Sequence, residues 1–148
     1  VKKAIVSHTG TNKETAAQKN AGTLEVEYVP QGTLAERIRA YGAGLGGVLT
    51  PTGLGTVIQE GKQIVNVDGK DYILEKPLKA DIAFLRANIV DEDGNMVFLG
   101  TSQNFNPLMA MAADYVVVEA EKLVKNGEIA PEQIHASGIF VDGIYLEK

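Results

Sequence analysis

The first candidate for chemistry lies at Pro30-Gln31-Gly32-Thr33, where a predicted strand ends and a predicted helix begins. Backbone N–H groups in the first turn of a helix have no acceptor inside that helix, so they favour an oxygen anion. The side chain of Gln31 offers a further NH₂ donor. Together these donors could stabilise negative charge that develops on a reacting carbonyl. The alternative is a tight strand-to-helix turn with an exposed glutamine, and spacing alone leaves both interpretations open.

A glycine-rich segment follows, with six glycines among the fifteen residues from Gly42 to Thr56. Ordering many glycines is entropically unfavourable, so such a segment usually needs positive φ angles or a close approach of the backbone. It either forms a backbone-lined wall for a substrate or caps a helix and continues as a packed surface loop. The segment lacks the Gly-Lys-Ser/Thr ending of a phosphate-binding P-loop. It also follows a predicted helix, whereas a dinucleotide fingerprint follows a strand.

Other polar residues give weaker signals. In the segment 102–107, Asn106 is expected to cap a helix that has proline at its first position, and Asn104 is more open to a ligand role. His8 and His135 are far apart and do not have the spacing of metal ligands, so structural or surface roles are expected for both. We therefore predict no metal site.

Composition excludes several classes of function. The 148 residues contain no cysteine, which excludes disulfides, thiol nucleophiles and cysteine-bound metals and favours a cytoplasmic location. The net charge of −5, from 14 basic and 19 acidic residues, argues against a nucleic-acid partner. No apolar run approaches the roughly 20 residues that span a bilayer, so no membrane association is expected. No carboxylate has a setting typical of a covalent nucleophile; Glu119 and Glu121 come nearest, but we interpret them as solvated.

The elements that must position these residues alternate between strands and helices. This order predicts an α/β fold, with a mostly parallel open sheet, helices on both faces and one domain over residues 1–148. Asp68-Gly69 predicts a small antiparallel hairpin insertion. The segment 81–87 is expected to be a central strand buried on both faces. Predicted helices begin at Asn12, at Thr33 (with Glu36 completing a capping box) and at Asn106, the last running to about residue 113; predicted strands are 3–7, 24–29, 63–67, 72–74, 81–87, 96–98, 115–118, 139–141 and 144–146.

Five segments occur in a recognisable order: 7–12 (Ser-His-Thr-Gly-Thr-Asn), 29–34 (Val-Pro-Gln-Gly-Thr-Leu), 42–56, 104–106 (Asn-Phe-Asn) and 117–119 (Val-Val-Glu). In this order they resemble the family I coenzyme A-transferases. The similarity is to the α subunit of the acetate/acetoacetate (3-oxoacid) enzymes and covers essentially the whole chain. The stretches 30–39 and 50–53 carry most of its specificity.

The resemblance implies a reaction that moves CoA between a short-chain acyl-CoA (acetyl-, butyryl- or acetoacetyl-CoA) and a carboxylate acceptor. It proceeds by a ping-pong route through a glutamyl-CoA thioester. In the family that glutamate lies in a Ser-Glu-Asn-Gly setting on a β subunit. These 148 residues do not contain Ser-Glu-Asn-Gly, so this chain is expected to be inactive alone and to work in an α2β2 or larger hetero-oligomer. Coenzyme A would be a substrate, and no permanently bound cofactor is expected.

The resemblance also assigns site residues. Gln31 matches the family's active-site glutamine, which lies near the reacting carbonyl. The residues expected to bind substrate are Gly44, Gly46, Gly47, Thr50, Gly53 and Asn104. The alternative function is a non-catalytic member of the same architecture that binds an acyl-CoA or a sugar phosphate.

One departure concerns the start of the chain. It begins with Val1, and a predicted strand follows almost at once. Family α subunits begin with a further segment that carries a Gly-Gly-Phe…Gly-x-Pro signature, to which nothing here corresponds. We therefore expect the chain to be incomplete at its N-terminus, and we expect apolar sheet edges to be exposed unless a partner covers them.

Overall fold

Strands and helices alternate along the chain. A computed structural model describes residues 1–147. In this range the strands are β1 (Lys3–Val6), β2 (Glu25–Tyr28), β3 (Val48–Thr50), β4 (Ile64–Val67), β5 (Lys70–Glu75), β6 (Ala80–Asp91), β7 (Met96–Val97), β8 (Ala113–Val124) and β9 (Gly143–Leu146). The α-helices are α1 (Lys13–Asn20), α2 (Gln31–Gly42) and α3 (Asn106–Met109).

The strands pair in three sheets. β1 and β2 are parallel, and β3-β5-β4 form a small antiparallel sheet. The largest sheet has the order β7-β6-β8-β9, in which β6, β8 and β9 are parallel and only β7 is antiparallel. The predicted α/β class is therefore confirmed.

The described chain divides into two compact units. The first contains residues 1–37 and 46–76, and the second contains residues 38–45 together with the chain from residue 77 onward. Helix α2 and the glycine-rich segment thus contribute residues to both units. The single domain over residues 1–148 stays a prediction.

Local signals explain much of the first unit. The side chain of Asn12 accepts a hydrogen bond from the N–H of Thr15 at 2.9 Å, so the predicted cap of α1 is confirmed. Asp68 and Gly69 have φ angles of 51° and 81° between β4 and β5. Positive φ at both central residues is typical of a type I′ turn, and the predicted hairpin is confirmed.

The core of the second unit lies on one face of its sheet. It contains alternate residues of β6 and β8, packed with Met96, Phe98 and Ala110. On the other face, Ile82 and Phe84 are 52% and 73% exposed in the described chain. The prediction that residues 81–87 are buried on both faces was therefore wrong. Successive side chains of a strand point to opposite faces, and the described residues cover only one face here.

The start of α2 differs from the prediction. The helix begins at Gln31, and the carbonyl of Pro30 accepts a hydrogen bond from the N–H of Leu34 at 2.9 Å. Pro30 therefore takes the N-cap position. Thr33 lies inside the first turn and is only 5% exposed, so its predicted role as the cap was wrong.

Two further predictions fail because tertiary contacts override local signals. Asn106 does not cap α3: its Oδ1 accepts from the N–H of Arg86 at 3.2 Å, and its Nδ2 donates to the carbonyl of Ser102 at 2.7 Å. The helix also ends at Met109, because the chain must enter β8 at Ala113. The predicted strand 139–141 is instead largely a 3₁₀ turn, Gly138–Phe140.

Candidate functional site

The start of α2 presents outward-pointing donors. Gln31, Gly32 and Thr33 are its first three residues, so their N–H groups have no acceptor one turn earlier in the helix. Gln31 and Gly32 are exposed. The partial positive charge of a helix N-terminus adds to these donors, so the turn can stabilise an oxygen anion.

A cleft of about 300 Å³ adjoins this turn within the first unit. Its lining residues come from the helix start and from the strand that follows the glycines: Pro30, Gly32, Thr33 and Glu36, with Val48, Leu49, Thr50 and Thr52. Gln31 lies between two of them along the chain. Thr50 thus lies in the same cleft as Gly32, the residue after Gln31, although Gln31 and Thr50 are 19 positions apart in the sequence. Gln31 itself is not among the residues that line the cleft.

Two glycines of this segment are required by close packing. A Cβ on Gly47 would lie 2.8 Å from the carbonyl oxygen of Glu75 and 2.9 Å from the side chain of Leu74. Gly53 has a φ of 98°, and a Cβ there would lie 2.7 Å from the side chain of Ile58. Both glycines let the backbone carrying β3 lie against neighbouring residues of the first unit. Their direct role in substrate binding stays a prediction.

Gly44 has a different role, in the second unit. It follows the end of α2 and has a φ of 69°. Its N–H donates to the carbonyl of Tyr41, and the N–H of Leu45 donates to the carbonyl of Ala40. These two hydrogen bonds form a Schellman motif, a helix ending that favours glycine at the residue with positive φ. The end of α2 therefore explains why glycine stands at this position. Gly46 has open space at its Cβ position, and nothing within the described chain requires glycine there.

Asn104 lies in a separate cleft of about 270 Å³ in the second unit. Its Oδ1 accepts a hydrogen bond from the N–H of Phe105, and Asn106 Nδ2 lies 3.4 Å from the same oxygen. The cleft is lined by Arg86, Ala87, Asn88, Thr101, Ser102, Asn104, Asn106 and Glu121. Asn104 therefore does not line the cleft that contains Thr50.

Sequence reasoning missed the charged cluster around Arg86. Its Nη2 lies 2.8 Å from both Glu121 and Glu147, and its Nε lies 3.8 Å from Glu119. The hydrogen bond that Arg86 donates to Glu147, together with the neighbouring carboxylates, raises the pKa of Arg86 above its ordinary value. Strand alternation and the parallel pairing of Arg86 with Glu119 could have revealed this cluster, but only once the strand register was known.

Comparison with known proteins agrees with this architecture. Residues 1–147 match the family model described as coenzyme A transferase. This chain belongs to the coenzyme A transferase family. It is 50% identical over 148 residues to the acetate CoA-transferase subunit alpha of Escherichia coli K12. It is 51% identical over 147 residues to the acetoacetyl-CoA:acetate/butyrate CoA transferase alpha subunit of Clostridium acetobutylicum.

The matches span different shares of the relatives. The alignment with the E. coli subunit covers 100% of this coenzyme A transferase chain, and the alignment with the C. acetobutylicum subunit covers 99% of it. Each alignment covers 67% of the relative's own length. The fold also matches an acyl-CoA transferase of E. coli O157:H7, crystallised as a thioester complex with CoA. That match has a TM-score of 0.88 at 24% identity and covers 99% of this chain and 34% of the other.

The two histidines of this family member have structural contacts. His8 lies 3.3 Å from the hydroxyl groups of both Ser7 and Thr11. His135 Nδ1 accepts a hydrogen bond from the N–H of Phe98 at 3.0 Å. Among residues 1–147, no three His, Cys, Asp or Glu side chains are grouped so that they could hold a metal ion. Nor does any helix in this range have the length and apolar character needed to cross a membrane.

Proposed function

We propose that this chain is part of a CoA-transferase that moves CoA between a short-chain acyl-CoA and a carboxylate acceptor. The observation that carries the proposal is the cleft at the start of α2, which Thr50 lines together with Gly32 and Thr33, whose N–H groups have no acceptor in the helix. Such a cleft can hold a carbonyl whose oxygen becomes negative. The relatives named as acetate and acetoacetyl-CoA:acetate/butyrate transferase subunits support this reaction class and favour acetyl-, butyryl- or acetoacetyl-CoA as donors.

The proposed reaction has two half-reactions. A glutamate carboxylate attacks the thioester carbonyl, the CoA thiolate leaves, and an acyl-glutamyl anhydride forms. The thiolate then attacks the glutamyl carbonyl, which releases the first carboxylic acid as its carboxylate and leaves a glutamyl-CoA thioester. The acceptor carboxylate reverses both steps and departs as the new acyl-CoA. Covalent catalysis of this kind divides one difficult exchange into easier steps.

Every step passes through a tetrahedral centre with a negatively charged oxygen. We assign Gln31 to the stabilisation of that oxygen, together with the N–H groups of Gly32 and Thr33. We assign the wall of the acyl pocket to Gly46, Gly47, Thr50 and Gly53, with Gly44 and Asn104 as further substrate contacts. Preorganised donors are effective because they need no reorientation when the charge develops.

We place the nucleophilic glutamate on a partner β subunit. The relatives are named alpha subunits, which supports a partner chain. The 148 residues contain no Ser-Glu-Asn-Gly, the setting in which the family carries its glutamate. We further propose an α2β2 or larger assembly, with coenzyme A as substrate and no permanently bound cofactor.

Reconstitution tests the reaction. This chain would be produced together with a cognate β subunit. Purified complex and each subunit alone would then be incubated with acetoacetyl-CoA and acetate. We expect acetyl-CoA to form with the complex and not with either subunit alone. A pure, folded complex that forms no acyl-CoA from acetate, butyrate or acetoacetate acceptors would refute the proposed function.

Mass spectrometry tests the location of the nucleophile. The complex would be incubated with acyl-CoA in the absence of an acceptor and analysed by intact mass. We expect the β subunit to gain the mass of CoA less one water, and we expect this chain to remain unmodified. The same adduct on this chain would contradict the assignment of the glutamate to its partner.

A further inference from the structure

A buried carboxylate lies in the first unit opposite Val48, one of the residues that line the cleft. Glu75 is the last residue of β5, and its side chain is only 3% exposed. Lys62 Nζ lies 2.6 Å from Glu75 Oε1, and Arg37 Nε lies 4.0 Å from Oε2. A buried charge that loses its partner is strongly destabilising, so these cations constrain where Glu75 and its strand can lie.

Arg37 joins three elements through one side chain. It lies on α2 and is 12% exposed. Its Nε donates to the carbonyl of Lys76, just after β5, at 2.9 Å, and its Nη1 donates to Glu27 Oε1 on β2 at 3.1 Å. The guanidinium group is planar, so its N–H directions are fixed relative to one another. Arg37 therefore sets the position of α2 relative to both strands.

Helix α2 carries one wall of the cleft, and β3, which pairs with β5, carries the other. Thr33 and Arg37 are four residues apart on α2, so they lie on one face of the helix. β5 pairs with β3, with Glu75 opposite Val48 and Ile73 opposite Thr50. A shift of α2 along β5 would therefore change the separation between the donors of the helix start and Thr50.

We propose that Arg37 and Glu75 are positioning residues, which hold the first turn of α2 at the distance from β3 that the reaction requires. This inference rests on the proposed function. Neither residue needs to touch the substrate. A displacement of about 1 Å in a catalytic constellation can lower the rate by about 100-fold, so a small movement of α2 would be visible in turnover.

Kinetics of the α/β complex test the positioning. Arg37→Met removes the charge and the hydrogen bonds, and Arg37→Lys keeps the charge without the planar fork. We expect Arg37→Met to lower kcat at least tenfold and to change KM less than threefold. We expect the kcat of Arg37→Lys to lie between that of Arg37→Met and that of the wild type. Lys79→Met is the matched control. Among the interactions described in the second unit, this exposed cation contacts only Asp114 and the ring of Tyr41. We therefore expect Lys79→Met to leave kcat unchanged.

Glu75→Gln tests the second positioning residue and separates positioning from stability. Glutamine keeps the size of the side chain but lacks the charge that faces Lys62 at 2.6 Å and Arg37 at 4.0 Å. We expect kcat of the Glu75→Gln complex to be at least tenfold low when it is measured well below the melting temperature of that variant, so that unfolding does not contribute. A kcat within twofold of wild type under these conditions, for Glu75→Gln or for Arg37→Met, would overturn the proposal.

Amide hydrogen exchange provides a measurement that does not depend on activity. The N–H of Leu34 donates to Pro30 in the first turn of α2. We expect this amide to exchange at least threefold faster in Arg37→Lys than in the Lys79→Met control. Unchanged exchange would overturn the positioning role. A wild-type complex that fails to transfer CoA would refute the proposed function instead, and the exchange result would still decide whether Arg37 holds the turn.

Discussion

Replacing Gln31 with alanine tests the proposed oxyanion site directly. Gln31 is exposed and is the first residue of α2, so the substitution removes one side-chain donor without opening a cavity. An exposed change of this kind alters the free energy of unfolding by less than about 0.5 kcal/mol. Any loss of turnover can therefore be assigned to the site rather than to unfolding.

The expected loss follows from the donors that remain. Removing one oxyanion donor typically lowers kcat by about 10² to 10³. The backbone N–H groups of Gly32 and Thr33 are unaffected in the Gln31→Ala variant, so we expect the lower end of this range. A loss of about 100-fold corresponds to about 2.7 kcal/mol of transition-state stabilisation. We expect KM for acyl-CoA to change by less than about threefold, because the negative charge develops only during the reaction.

Steady-state kinetics of the α/β complex measure this effect, with acetoacetyl-CoA and acetate as substrates. Gln18→Ala is the matched control: Gln18 is a helical glutamine whose side chain donates to Glu14 at 2.9 Å. We expect its kinetics to equal those of the wild type. If Gln31→Ala keeps kcat within twofold of the wild type, Gln31 has no part in stabilising the oxygen.

The remaining predictions concern packing and pH. Gly47→Ala should destabilise the chain by about 1–3 kcal/mol, because the new Cβ would lie 2.8 Å from the carbonyl of Glu75. Gly46→Ala, with open space at its Cβ, is the control, and equal melting temperatures for the two variants would contradict this explanation. The hydrogen bond from Lys3 is the main cause that lowers the pKa of Glu27 below its ordinary value of 4.5. A carboxylate with a depressed folded-state pKa stabilises the fold above its unfolded-state pKa, and this contribution is lost as the pH falls through the folded-state value. Glu27→Gln should therefore lower the urea midpoint of unfolding at pH 7. The difference from the wild-type midpoint should become smaller as the pH falls below 4.5. A difference that does not change with pH would count against this role.

The helix and turn signals that could be read from the sequence are local. The cap at Asn12 and the turn at Asp68-Gly69 were predicted correctly because the residues that form each one are neighbours along the chain. Thr33 shows where this reasoning fails. A capping-box pattern predicted the helix start there, but the carbonyl of Pro30 accepts the first helical bond and the threonine is buried inside the turn.

By itself, the sequence determined the coenzyme A transferase family, the α/β class and the segments from which a site would be built. These depend on residue order and on the periodicity of short segments. Only the tertiary structure decided that Thr50 lines a cleft beside the start of α2, that Gly47 packs on Glu75, and that Arg37 connects α2 to two strands. Each of these contacts joins residues from different elements, and their distances depend on strand register and side-chain packing that a single sequence does not specify.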